Sequence, residues 1–193
     1  MTYSSGLIAK LTAVRAATEP RPSRVEQEVV ALFDELRNPV LRYLLSFRVP
    51  VADAEEIVQE AFLLLFRHLR AGKSRENLPG WIFGVAHHLG LKHHARVRRE
   101  AGNGRADAGM AVAGDPDPAE RFELLELQQD LLSILRALPE QDQRCLSLRA
   151  EGLRYREIAR ILGVSLGSVA NSLSRSLARL ARGAAAGGGV NAR

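Results

Sequence analysis

Ser168, Asn171, Ser172, Arg175, Arg179 and Arg182 recur on one stripe of the segment 152–182, GLRYREIARILGVSLGSVANSLSRSLARLAR. Hydroxyl, amide and guanidinium groups in that order are the types that read base edges and hold phosphates. A second set lies upstream, where aromatic Trp81 and Phe83 are followed by His87, His88, Lys92, His93, His94, Arg96, Arg98 and Arg99. An aromatic ring ahead of a row of cations suits unpaired bases and their phosphates. A third set, Asp53, Glu56, Gln59 and Glu60, is acidic and polar at helical spacing, a face that stays outside.

The elements that must carry these groups are helices. In 152–182, Tyr155, Ile158, Ala159, Ile161 and Leu162 mark one short helix, Gly163 a left-handed turn, and Ser165 the cap of a second helix. That second helix places Val169, Leu173, Leu177 and Leu180 on one face, to be buried, and the polar stripe on the other. Ala159, Gly163 and Val169 supply the close crossing, tight turn and packing anchor of a helix-turn-helix. An ordinary helical hairpin with a solvated face is the plain alternative.

Apolar residues recur at helical spacing nearly throughout the 193 residues and strand signals are few, so the fold class is all-α. Val29, Leu32, Phe33 and Leu36 form one helical face, and Val40, Leu41, Leu44, Leu45 and Phe47 a second helix beyond Pro39. Asp53 reads as the N-cap of a long helix that buries Ile57, Ala61, Leu64, Leu65, Phe66 and Leu69. Residues 71–80 form a loop and Trp81 opens the next helix. The segment 1–24 is a partly disordered extension with a short helix around Leu7–Val14. Residues 100–119, rich in Gly, Ala and Asp, read as a flexible linker, Asp117 and Pro118 open a helix from Phe122 to Leu138, and 184–193 is a disordered tail. Two small domains follow, 25–99 and 120–183.

The net charge of +5 is unevenly spread: segments 81–105 and 152–182 carry +4 and +5, whereas 106–151 carries −6. Two basic segments parted by an acidic one point to two contacts with a polyanion. Cys145 is the single cysteine, so neither a disulfide framework nor a thiolate metal site is available. His87, His88, His93 and His94 offer no pair three or four residues apart, and the two turns from His87 to His94 span about 10 Å. No metal and no cofactor are expected. With no phosphate-binding glycine loop and no nucleophile elbow, no catalytic residue is expected either. No apolar run is long enough to span a membrane, so membrane insertion is not expected and the compartment is cytoplasmic.

DAEEIVQEAFLLLFRHL, at 53–69, resembles region 2.2 of bacterial sigma factors, and WIFGVAHHLGLKHHARVRR resembles the regions 2.3 to 2.4 that follow it. The stretch 138–180 is similar to region 4 of the same proteins. Their order, with no third conserved domain between, resembles the extracytoplasmic-function (ECF) group. The resemblance implies a factor that binds core RNA polymerase and recognises promoter DNA. Asp53, Glu56, Gln59 and Glu60 would dock on the clamp of the largest catalytic subunit, and region 4 on the flap of the second. Trp81, His87, His88, Lys92, Arg96, Arg98 and Arg99 would read and melt the minus-ten element. Ser165, Ser168, Asn171, Ser172, Arg175 and Arg179 would read the minus-thirty-five element. An anti-sigma factor is implied as a further partner. The chain departs from the family's common residues at His87 and His88 (often Arg-Asn), at Lys92 (often acidic) and at Ala170 and Ser172 (often cationic). Two other readings remain: a two-domain helix-turn-helix regulator acting without polymerase, and a sigma-derived adaptor between proteins.

Overall fold

Helix α1, Arg24–Ser46, begins where Ser23 and Glu26 exchange hydrogen bonds: the Glu26 N–H donates to Ser23 Oγ at 3.2 Å and the Ser23 N–H to Glu26 Oε2 at 2.6 Å. The computed structural model describes residues 23–46, 48–100 and 132–187, the last four as backbone. The expectations for the segment 1–22, for Phe47, for the linker 100–119 beyond Glu100, for the helix start at Asp117 and its course to 131, and for 188–193 lie outside the described residues, whereas 184–187, expected in a disordered tail, continue the last helix. Pro39 does not divide α1. Leu36, Val40, Tyr43 and Leu44, on both sides of the proline, enter one core, so a single helix is kept although Pro39 donates no backbone hydrogen bond.

Helix α2, Val51–Arg70, starts two residues before Asp53, with Pro50 at the N-cap position. Asp53 therefore sits in the first turn, where its carboxylate favours the helix dipole, rather than at the cap. The buried side is Ala54, Ile57, Val58, Ala61, Phe62, Leu65 and Leu69. Phe62, edge-on to Phe33 at 4.9 Å, fills the core place expected for Phe66, which is half-buried beneath Arg70. Helix α3, Leu78–Glu100, also starts early. Asn77, at φ 53, accepts the Gly80 N–H on Oδ1 at 3.2 Å, and Pro79 falls in the first turn, where a missing N–H costs nothing.

Helical residues 132–136 are followed by α4, Glu140–Ala150, α5, Tyr155–Leu162, and α6, Leu166–Gly187. Gly163 takes the left-handed conformation, φ 66 and ψ 31, that the tight turn demands. Ser165 caps α6 by accepting the Ser168 N–H at 3.1 Å.

The two halves do not stand apart. Leu36, Tyr43 and Phe83 share one continuous apolar core with Cys145, Leu148, Leu153, Ile158 and Ile161. A Cβ built on Gly84 of α3 would lie 3.9 Å from Ile161 Cγ1. Bundles this small bury a low fraction of their surface alone, and pooling their cores raises it.

Candidate nucleic-acid interface

Helix α6 is turned from its expected phase. Val169, Ser172, Leu173 and Ser176 are buried, at steps of three, one and three, while Leu177, expected inside, is 57% exposed. Ser172, expected on the reading stripe, is fully buried and faces α4. Serine is small enough for the close crossing. The Ser176 hydroxyl satisfies itself on the Ser172 carbonyl at 2.8 Å, and Gln141 Nε2 donates to Ser172 Oγ at 3.5 Å. Asn171 is exposed at the start of α6, and Ser168 is half-exposed with its hydroxyl 2.9 Å from Ser165 Oγ. Ser165 spends its hydroxyl on the cap.

Arg175 is exposed yet committed. Its Nη2 and Nε donate to Asp142 Oδ1 and Oδ2 at 2.9 and 3.3 Å, a two-pronged hold on a carboxylate only 2% exposed. Burial by itself would raise the Asp142 carboxyl. Hydrogen bonds from Arg175 and Ser172, with the charges of Arg175 and Arg179, outweigh it and hold the group below the usual carboxylate range. Arg179 is exposed, and its Nη1 reaches the Ala137 carbonyl at 3.4 Å. Sequence spacing gave no sign of Asp142 as the anchor of this helix.

On α3 the structure separates the adjacent histidines. His87 is buried, with Nδ1 2.7 Å from Tyr43 Oη. Burial, then the charges of Arg144 and His88, lower its pKa to about 4, so the ring is neutral and faces the core rather than DNA. His88 points out and donates from Nδ1 to the Gly84 carbonyl at 2.7 Å, leaving Nε2 toward solvent. Trp81 (half-buried), His88, Lys92, Arg96 and Arg99 lie at steps of seven, four, four and three, one side of a helix that rises about 27 Å from Trp81 to Arg99. Arg98 is exposed off this line. Arg96 lies 3.8 Å from Asp53 and 3.4 Å from His93 Nδ1, so Asp53 neighbours the basic row rather than the remaining acidic face. Lys92 is about 17 Å from Trp81 along the axis. Arg67, Arg70 and Lys73 are exposed on the last turns of α2 and the loop after it, around His68 whose ring meets Trp81, and were not anticipated.

Glu56, Gln59 and Glu60 are exposed on α2, joined by Leu63 at 58% exposure. Beside them a small cleft between α1 and α2 is lined by Phe33, Arg37, Leu41, Glu55, Val58 and Gln59. An exposed leucine within a polar face is the signal that sequence pattern alone missed. Among the described residues no group of three or more His, Cys, Asp or Glu side chains could hold a metal ion, and no helix is long and apolar enough to cross a membrane.

The sigma-70 region 2 family model matches residues 32–100, and the sigma-70 region 4 model matches residues 128–180. A probable RNA polymerase sigma factor, RfaY, of Xanthomonas campestris pv. campestris is 32% identical over 148 residues, covering 74% of this chain and 36% of that protein. The ECF sigma factor SigE of Mycolicibacterium smegmatis is 31% identical over 163 residues, 80% of this chain and 62% of the relative. The chain thus spans less than two thirds of the length of either. The sigma-E factor of Escherichia coli is 27% identical, with 69% and 74% covered. Two solved structures share the fold. They are RpoE from Bartonella quintana, in complex with the anti-sigma factor NepR (TM-score 0.61, 22% identity, 81% of this chain and 94% of that one), and CnrH in complex with the cytosolic domain of CnrY (TM-score 0.53, 21% identity, 89% and 94%). A three-helix unit matched by region 2, followed by a helix-turn-helix matched by region 4, in a chain whose relatives carry ECF sigma factor names, shows that this protein belongs to the sigma-70 family of RNA polymerase sigma factors.

Proposed function

We propose that this chain binds core RNA polymerase and directs it to promoters, with 25–99 and 120–183 as the two working domains. The observation that carries this reading is the division of labour on the first unit. The exposed Glu56, Gln59, Glu60 and Leu63 form one surface on α2, and Trp81, His88, Lys92 and Arg99 form another along α3. The first surface docks on the clamp of the polymerase, and the second holds the unpaired strand of the minus-ten element. The start of α6, with Ser168 and Asn171, reads the minus-thirty-five duplex, while the second domain meets the polymerase flap. Catalysis belongs to the polymerase, and its presence places this factor in the cytoplasm.

A self-sufficient repressor or activator needs its own strong grip on duplex. Here Ser172 is buried and Arg175 is held by Asp142, which favours a factor whose affinity is completed by polymerase. Two elements some 25 base pairs apart are separated by about 85 Å of duplex. The docked halves cannot reach both at once, so polymerase binding pulls them apart. An anti-sigma factor, of the kind found with the solved relatives, would act before that step. Run-off transcription from promoter fragments by core polymerase tests the proposal: transcripts should require this chain and should be lost with a doubly reversed Glu56→Lys, Glu60→Lys variant. Specific nanomolar promoter binding by the chain alone would favour the self-sufficient regulator.

A further inference from the structure

We infer that His68 is a positioning residue for the capture of single-stranded DNA at Trp81, an inference that rests on the proposed role of Trp81. His68 lies in the last turn of α2, outside every set of residues singled out by sequence. Its ring meets the indole of Trp81 with centroids 4.7 Å apart and planes tilted by 44°. The same imidazole uses its other function on the loop between α2 and α3, where Nε2–H donates to the Ser74 carbonyl at 2.8 Å. The main chain of His68 adds to this hold, since its carbonyl accepts the Lys73 N–H at 3.3 Å. Ser74 Oγ in turn accepts the Glu76 N–H at 3.1 Å, and Asn77 caps α3 just before Trp81.

One side chain therefore sets two things at once. It supports the indole against sideways rotation, and it ties the exposed loop carrying Lys73 to the same helix end that carries Arg67 and Arg70. Trp81 is half-buried against the core; without a support its ring is free to fold onto the space His68 occupies. Stacking of a base needs that face held still, because the order gained on binding is otherwise taken from the indole. The cations at 67, 70 and 73 sit on the helix end and loop that His68 joins to Trp81, whereas the row from Lys92 starts about 17 Å up the helix. A nucleotide stacked on Trp81 would thus keep its phosphates beside the helix end that His68 organises.

The sequence contains one tryptophan, so intrinsic emission of the full chain reports this site directly. The chain is titrated at low salt with a fluorescein-labelled single-stranded oligonucleotide followed by anisotropy, and with the unlabelled strand followed by Trp81 emission. Wild type should show saturable quenching in step with binding. His68→Ala should bind roughly tenfold more weakly with reduced quenching, the loss of about one stacked base. His68→Phe, which keeps a ring beside the indole, should recover the quenching amplitude. His68→Gln, which keeps a donor for Ser74 without the ring, should not. Far-UV circular dichroism should be the same for all three variants. Quenching and affinity in His68→Ala and His68→Gln equal to wild type would overturn the inference about His68 while leaving Trp81 in place. Binding by wild type with no change in Trp81 emission would overturn the role of Trp81, and the inference with it.

Discussion

Arg42 on α1 and Glu151 at the end of α4 meet through two hydrogen bonds, from Nε at 2.9 Å and Nη2 at 2.7 Å, joining the two halves of the chain across 109 residues. Glu151 is well covered at 12% side-chain exposure, whereas Arg42 is 60% exposed, so water screens much of the attraction. The ion pair orients the docking, and the shared apolar core around Phe83, Leu148 and Ile161 supplies most of its strength.

Glu151→Lys should therefore loosen the docked form without unfolding either half. Replacing a partly screened pair by like charges is worth about 1 kcal/mol, roughly a fivefold shift toward the open form. Ile161→Glu, which puts a charge into the shared core, should open it almost fully. The radius of gyration from small-angle X-ray scattering should rise in that order. It should return toward the wild-type value in the Arg42→Glu, Glu151→Arg swap.

The buried neutral His87 sets an acid limit on stability. Its pKa in the folded state, about 4, lies below the usual histidine value, so the unfolded chain takes up the proton first as pH falls. Stability from this residue is fully present above about pH 6.5 and declines to pH 4, by on the order of 3 kcal/mol in all. Asp142, whose carboxyl is held low, adds its loss only below the ordinary carboxylate range. Urea midpoints measured from pH 7 to 4 should fall for wild type and should flatten across that window in His87→Asn.

Neighbouring positions on α6 should behave oppositely. Asn171→Ala, at an exposed position, should weaken recognition of the upstream element in holoenzyme by about tenfold, the size of one lost bidentate base contact. Ser172→Ala should leave DNA binding unchanged. Ser172→Lys should lower the melting temperature by several degrees, because the ammonium has no room between α4 and α6. Footprinting and thermal denaturation on the same preparations separate the two effects.

On α2, Leu63→Ala should weaken the association with core polymerase by about tenfold if the leucine anchors that face, with no loss of helicity. Glu60→Lys should act chiefly by slowing association, and more so at low salt. Surface-coupled core polymerase and varied ionic strength provide the measurement.

Much of this protein follows from local rules. The left-handed Gly163, the Ser165 cap, the acidic first turn of α2 and the helical periodicity are properties of a few consecutive residues, and the helix-turn-helix and the all-α class followed from them. Exposure of Glu56, Gln59 and Glu60 was legible for the same reason. Local rules could not tell His87 from His88, nor Ser172 from Leu177. Adjacent positions differ by about 100° around a helix, and which one goes inside depends on what packs against it. Asp142 and Gln141 on α4 drew Ser172 and Arg175 to their side, and Tyr43 drew His87. Pro39 stayed within α1 because residues on both sides of it had one core to enter. The docking of the two halves through Arg42 and Glu151 joins surfaces more than a hundred residues apart, and no spacing within either segment encodes that meeting. Only the tertiary structure decided it, through the apolar area that each small bundle leaves uncovered on its own.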